Sequence, residues 1–382
     1  MTTSADHTDI ESDAAADRGT GVLDIDLDAL ACNYATLREE LGGAECGACV
    51  KANGYGLGLE PIAKTLWLAG CRDFFVSFID GGIRLRHILP EARIHVFTGI
   101  AGGSPDEFVE HDLVPVLNSL GEIETWRQFL RRSNAAHAVD LHIDTGMSRL
   151  GLPEDEIARL RDDPTLLGDI DIDIVMSHLA SADMADSEQS RQQLSEFERA
   201  HTVIPAQRAS LANSSGIFLG TGYHFDLARP GAAIYGINPT PQAKSPMKQV
   251  VTLKGKILQV RSVDTPRTVG YGATFTVPGP MRIATVGAGY ADGYLRSLSG
   301  RTSARINGQE VPIVGRVSMD LITLDVTGID EAATTPGSYA TLIGDGNDID
   351  TVARNAGTIG YEVLTALGAR YRRTYHGGAT AA

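Results

Sequence analysis

Cationic residues are scarce in this chain. Its 33 lysines and arginines face 48 aspartates and glutamates, for a net charge of -15. Proteins that grip phosphate backbones carry a basic surplus or stripe, so nucleic acid is not expected as a partner. Long apolar runs are also missing. No stretch approaches the roughly 18 residues that a membrane helix needs. The opening MTTSADHTDIESDAAADRGT lacks the apolar centre of a secretory signal. It reads as a disordered acidic tail over residues 1–20, and the expected place of the chain is the cytoplasm.

Cysteine stops early: Cys32, Cys46, Cys49 and Cys71 all lie in the first fifth of the sequence. Cys46 and Cys49 form a C-x-x-C, but no second Cys/His pair follows to complete a zinc site. A redox pair opens a helix, whereas the residues after Cys49 read as a continuing strand. Reduced thiols and no metal are therefore expected. The phosphate-binding pattern G-x-G-x-x-G is absent after the first strand, which argues against a dinucleotide-binding doubly wound sheet.

What is present is a rhythm. Short apolar runs recur near residues 47–53, 73–78, 93–98, 113–117, 138–144, 172–178, 207–212 and 225–229. Most are followed by an amphipathic stretch such as EPIAKTLWLAG, GEIETWRQFLRR, EDEIARLRDD or SEQSRQQLSEFERA. Strands alternating with helices imply parallel βαβ units, and about eight of them imply an α/β fold of the (β/α)8 barrel type. Near residue 240 the pattern changes to closely spaced strands, with Asn307-Gly308 as a hairpin signal. The final segment DTVARNAGTIGYEVLTALGARYRR returns to helical spacing. The expected domains are a barrel over residues 21–242 and a mostly β C-terminal domain over residues 243–382. In a barrel, chemistry sits on the loops after the strands' C-terminal ends. Lys51, Arg149, His178, Asn213, Ser214 and Arg229 all fall there.

At Lys51 the sequence resembles a known family. VKANGYGLG is similar to the cofactor-lysine segment of alanine racemases, barrel enzymes that use pyridoxal 5'-phosphate (PLP). IDTGMSRLG, HFDLARPGAAIYG, VGYGATF, GYADGY, VPIVGRVSMDLITLDVT and GTIGYEVL resemble further segments of that family in the same order, from about residue 22 to about residue 375.

The resemblance implies a racemase acting on alanine, with Lys51 as the Schiff-base lysine and as the base on one face of the substrate Cα. The glycines after it let the backbone turn by the cofactor. Tyr271 would serve the opposite face, reaching in from the partner subunit of a head-to-tail homodimer, and His178 would orient it. Arg229 would hydrogen-bond the pyridine nitrogen. An arginine does not readily give up its proton, so the nitrogen stays unprotonated and the ring is a weaker electron sink. Ser214, Asn213, the amides of Gly231 and Ala232, and the hydroxyls of Tyr55 and Tyr361 would complete the cofactor site. Arg149 and the backbone of Met319 would bind the substrate carboxylate, with Asp320 supporting that loop.

The sequence departs from the family at His142. Members commonly carry a lysine there, modified to a carbamate that holds the substrate-binding arginine, and histidine forms no such stable carbamate. Residues 140, 142 and 144 share one strand face. Either Asp140, His142 or a bound anion such as chloride stands in for the carbamate, or Asp140 faces a helix N-terminus or solvent. Ser210 occupies a place where some members have a histidine against the pyridine-binding arginine.

Three rivals are weighed. A related PLP decarboxylase needs a cysteine in the β domain, and none follows Cys71. A non-catalytic PLP-binding protein needs the barrel alone. A serine-specific or broader racemase stays open, because one methylene discriminates by only about 1–3 kcal/mol. So does the choice between making D-alanine for cell wall and degrading it.

Overall fold

The computed structural model describes residues 19, 21–168 and 170–378. The expected acidic tail lies outside the described residues. The chain forms two units, one built on Leu27–Lys248, the other joining the segment up to Asp26 to Gln249–Gly377.

The first unit is a closed barrel. Its eight parallel strands are 45–49 (Glu45–Cys46 and Ala48–Cys49, interrupted at Gly47), Asp73–Val76, Arg93–Val96, Val114–Leu117, Val139–His142, Ile172–Met176, Arg208–Ser210 and Leu227–Ala228. The ring closes where Gly47 N donates to Ala228 O and Cys49 N to Pro230 O, both at 2.9 Å. The last strand meets its other neighbour through Asp226 N to Ala209 O at 3.0 Å and Arg229 N to Ala212 O at 2.9 Å. A closed ring leaves no unpaired edge. The amphipathic stretches are the surrounding helices. In Leu120–Ser133, Ser119 caps the N-terminus by accepting from Glu122 N, Asn134 ends the helix in the left-handed region, and the apolar stripe Ile123, Trp126 and Phe129 is buried.

Charge fills the barrel interior near the strands' N-terminal ends. His95 is fully buried, with Nδ1 2.7 Å from Asp140 Oδ2 and Nε2 3.3 Å from Asp73 Oδ1. Both ring nitrogens face carboxylates, so both donate and the ring is an imidazolium. Burial opposes that charge, but Asp140 and Asp73 outweigh it and raise the pKa to about 9. Asp73 also accepts from Arg93 and Arg208, and Arg208 reaches Asp173 and Glu45. These partners hold Asp73 well below the carboxylate range against its burial.

The second unit is mostly β. Its long central strand Val251–Val263 pairs antiparallel with Gly21–Asp26, Met281–Gly287 and Tyr339–Ile343. Two boundaries differ from the sequence expectation. Gly21–Asp26, expected to begin the barrel, belongs to this sheet. It buries Val22, Leu23 and Ile25, while Asp24 pairs with Lys254 at 2.7 Å. Arg372–His376, whose start was expected to be helical, is a strand parallel to it. The helices Ile349–Ala356 and Gly360–Ala366 precede that strand. Asn307 (φ 48) and Gly308 (φ 77) do form the tip of the hairpin between Ser303–Ile306 and Gln309–Pro312.

The buried imidazolium has a pH signature. A histidine whose folded pKa lies above its unfolded value stabilises the fold at low pH, and that stability is lost as pH rises through about 9. Replacing it leaves buried carboxylates unpaired, so His95→Gln is expected to cost roughly 3–5 kcal/mol near neutral pH. The gap from wild type in denaturant melts should narrow as pH rises through about 9. A gap independent of pH would show that the ring is neutral in the fold.

Candidate active site

The first barrel strand ends at Cys49 and does not continue through Lys51. Lys51 opens a short turn, Lys51–Tyr55, in which Ala52 (φ 51), Asn53 (φ 58), Gly54 (φ 63) and Tyr55 (φ 53) are all left-handed. Three of these four residues carry a Cβ, so glycine alone does not make the turn. Each non-glycine residue there costs roughly 1–2 kcal/mol. Such strain persists only where surrounding structure holds it and clusters at functional sites. Here Asn53 Oδ1 accepts from Leu59 N at 3.1 Å, and Tyr55 is buried against Tyr235, ring centroids 4.3 Å apart. Tyr235 in turn donates to Cys49 O at 3.0 Å.

The end of the last strand lies against this turn. A Cβ on Gly231 would fall 2.2 Å from Tyr55 Oη, so only glycine permits that approach. Ser214 Oγ accepts from Gly231 N at 2.9 Å and Ala233 N at 3.2 Å. Ala232 begins the 3-10 turn Ala232–Tyr235, where backbone N–H groups point outward from a helix start. Having accepted from two amides, Ser214 Oγ keeps its own O–H to donate, and with the Ala232 amide and Tyr55 Oη it makes a group of donors suited to a dianion, while the Gly231 amide is spent on Ser214.

Arg229 is 3% exposed. Its Nη1 donates to Ser210 Oγ and its Nη2 to Ser177 O, which fix the guanidinium plane. Its Nε is buried and has no partner. Burial lowers its pKa to about 10, still far above neutrality, so it remains a donor. An orphaned, charged N–H in a buried site calls for an acceptor from a bound group.

His142 accounts for the missing carbamate differently from Asp140. Asn118 donates through Nδ2 to Phe97 O at 3.1 Å and Val116 O at 2.7 Å. That fixes its Oδ1 as an acceptor for His142 Nδ1, 2.9 Å away. Nδ1 therefore carries the proton and Nε2 is left as an acceptor. Burial first, then the charges of Arg229 and Arg149, push His142 down to about 4 despite Asp144. Asp140, the alternative stand-in, is fully buried on His95 and the Ile174 amide. Its charged neighbours include His95, Asp173, Arg208 and Arg229, and it forms no ion pair with Arg149. Nor does it face solvent.

Arg149 lies on an exposed loop whose start is tied by Asp144, which accepts from the amides of Gly146, Met147 and Ser148. Burial and the charges of Arg229, Arg149, His142 and Lys51 push His178 down to about 3. Asn213, expected at the cofactor, accepts at Oδ1 from Gly216 N of its own loop and donates through Nδ2 to Leu179 O of the preceding strand's loop, so it ties these two loops together. Gln193 was not anticipated. It spans Ala180 N, His178 O and Thr145 Oγ1, joining two site loops. Its only sequence signal is a polar residue on the buried face of helix Glu188–His201. Asn118 and Ser177 gave no signal. Cys46 and Cys49 are free and buried, and burial raises both thiols, Cys46 to about 12.

The β unit presents its own group. Tyr271 is 73% exposed at the start of the turn Tyr271–Ala273. Met319 O accepts from Ala291 N at 2.9 Å, and Ser318 O from Tyr290 N at 3.1 Å, so GYADGY and VSMD dock on each other. Asp320 supports that loop through Arg370 at 2.8 Å, and Arg370 also holds Asp292 at 2.6 Å. Tyr361 lies in helix Gly360–Ala366, 39% exposed.

Alanine racemase N-terminal and C-terminal domain families match residues 25–239 and 250–375. The chain belongs to the alanine racemase family. It is 49% identical to an alanine racemase of Rhodospirillum rubrum over 363 residues, 94% of this chain and 97% of that one. It is 46% identical to one from a Methylobacterium species over 353 residues, covering 92% and 97%. Among solved structures, alanine racemase from Bartonella henselae with covalently bound pyridoxal phosphate has TM-score 0.89 at 38% identity, covering 94% of this chain and 99% of that one. The Streptomyces lavendulae alanine racemase has TM-score 0.88 at 29% identity, covering 94% and 98%.

The tautomer at His142 can be tested directly. Nitrogen-15 NMR of labelled histidine should show His142 as the neutral Nδ1–H form at neutral pH, titrating only near about 4. A ring doubly protonated near pH 6 would refute this geometry.

Proposed function

We propose that this chain is a PLP-dependent amino-acid racemase interconverting L-alanine and D-alanine, with Lys51 and a partner subunit's Tyr271 as the two proton-transferring groups. The observation that carries the reading is Arg229, a buried guanidinium with two donors fixed and Nε free. It fits a pyridine nitrogen as acceptor. The donors of Ala232, Ser214 and Tyr55 fit the phosphate, with the Gly231 amide holding Ser214 in place.

Lys51 would hold PLP until the substrate's amine takes its place, and the cofactor so loaded would supply an electron sink that weakens the substrate Cα–H bond. The chain supplies the rest. Arg149 binds the substrate carboxylate, as charge-assisted pairs do, with the backbone amide of the partner's Met319 beside it. Lys51 Nζ moves a proton at one face of Cα and Tyr271 Oη at the other. His178, kept neutral by burial and by its cationic surroundings, orients the phenol without adding charge. His142 supports Arg149 as a neutral acceptor.

The working form is a head-to-tail homodimer with shared sites. Tyr271, Tyr290, Met319 and Ile359 are 73%, 42%, 53% and 61% exposed, and large apolar groups left open mark an interaction face. A cytoplasmic place suits four free cysteines. Among the described residues, no helix is long and apolar enough to cross a membrane.

Chiral analysis of L-alanine incubated with the protein and PLP tests the reaction. Wild type should approach an equal mixture of enantiomers, and Lys51→Ala or Tyr271→Phe should lose at least about 100-fold in rate, the lower range for a positioned acid or base. Mixing the two inactive variants tests sharing. A hybrid dimer pairs the intact Lys51 of one chain with the intact Tyr271 of the other, so about a quarter of wild-type activity should return for random exchange. No recovery with subunits shown to exchange would place both residues of a site on one chain.

A further inference from the structure

We infer that Arg316 is a positioning residue for Tyr271, clasping the turn from which that tyrosine projects. The inference rests on the role of Tyr271 proposed above.

The turn is poorly held by its own backbone. Gly270 (φ 72), Gly272 (φ 73) and Ala273 (φ 50) are all left-handed. Its internal backbone bond, Ala273 N to Gly270 O, is 3.4 Å long. The strands on either side, Thr268–Val269 and Phe275–Thr276, have two residues each. Left alone, such a turn gives Tyr271 no fixed aim.

The segment Gly315–Arg316 supplies what the turn lacks. Below, its backbone runs against Val269 and Gly270. A Cβ on Gly315 would lie 2.9 Å from Val269 O, and one on Gly270 would lie 3.6 Å from Arg316 N. Val269 and Val314 share a small core with Val277 and Ile283 that anchors both segments. Above, the Arg316 guanidinium lies across Gly272. A Cβ there would meet Nη1 at 2.8 Å, Cζ at 3.2 Å and Nη2 at 3.6 Å. Gly272 is thus required twice, for its φ and for the arginine seated on it. Among the described residues Arg316 forms no ion pair, so no carboxylate draws the guanidinium away from the turn. A planar guanidinium can lie flat on a backbone where an ammonium cannot.

Alanine enantiomers have equal free energies, so kcat/KM must fall by the same factor in both directions for any variant. The effect on Tyr271 is read instead from α-deuterated substrates. If Arg316 aims Tyr271, Arg316→Ala makes the Tyr271 proton transfer more rate-limiting while leaving the Lys51 transfer alone. The expected result is a loss of about 10–100-fold in kcat, as for a misplaced catalytic group, with KM changed less. The isotope effect should rise for the enantiomer whose proton Tyr271 removes and fall for the other. Arg316→Lys should show the same opposed shifts to a smaller degree, and it serves as the test if the alanine variant does not fold. Isotope effects unchanged in both directions, or activity unchanged, would overturn the inference. Tyr271→Phe in the same series separates the two claims: if it stays fully active, the role of Tyr271 fails, whatever Arg316 does.

Discussion

One backbone hydrogen bond, from Cys49 N to Pro230 O at 2.9 Å, sits at the seam where the barrel's first strand meets its last. Lys51 lies two residues beyond one partner and Arg229 and Gly231 flank the other. Groups about 180 positions apart in sequence become neighbours because the ring closes there. Closing so long a loop costs entropy that grows only slowly with its length. The seam repeats the contact several times: Gly47 to Ala228, Tyr235 Oη to Cys49 O, and Tyr55 stacked on Tyr235. The strained turn after Lys51 persists because it is packed into this seam.

The two ends of the barrel treat charge in opposite ways. Near the strands' N-terminal ends, Asp73, Asp140, Asp173 and Glu45 are matched by His95, Arg93 and Arg208 in direct pairs. At the other end two histidines have their protonation suppressed by burial and by the charges of Arg229 and Arg149, with Lys51 adding to the effect on His178. The nearby anion, Asp144, is bonded to three backbone amides of its own loop. The first arrangement is complete in itself and belongs to stability. The second is short of negative charge. A cofactor phosphate and a substrate carboxylate supply it, so the site's electrostatics are balanced only when it is loaded.

The barrel was legible because its signal is periodic. Runs such as DFFV alternate with amphipathic stretches, and each apolar run became a strand. The misplacement of Gly21–Asp26 has a physical cause. A two-residue alternation states which face is buried and is silent on which sheet buries it, and Lys254, the partner of Asp24, lies 230 residues away. RYRR at the end of the final helical segment is short and polar, and it becomes a strand only because Gly21–Asp26 offers it an edge. Motif likeness singled out Lys51, Arg229 and Ser214. It could not reveal the fixed amide of Asn118, which acts through its bonds to two carbonyls. Nor could it reveal that Asp140 is drawn to His95 from a different strand.

The same limitation explains His142. Viewed as a replacement for a charged carbamate, it left open whether Asp140, His142 itself or a bound anion took the carbamate's place. The structure shows a neutral acceptor instead, held in one tautomer by an amide that is itself held. His142 stands near enough to Arg149 to feel its charge without cancelling it, and among the described residues no carboxylate pairs with Arg149. The charge is left for the substrate. In the role proposed for Arg149, selection for a carboxylate is thereby built into the site, while the side chain of the amino acid is left to be judged by shape.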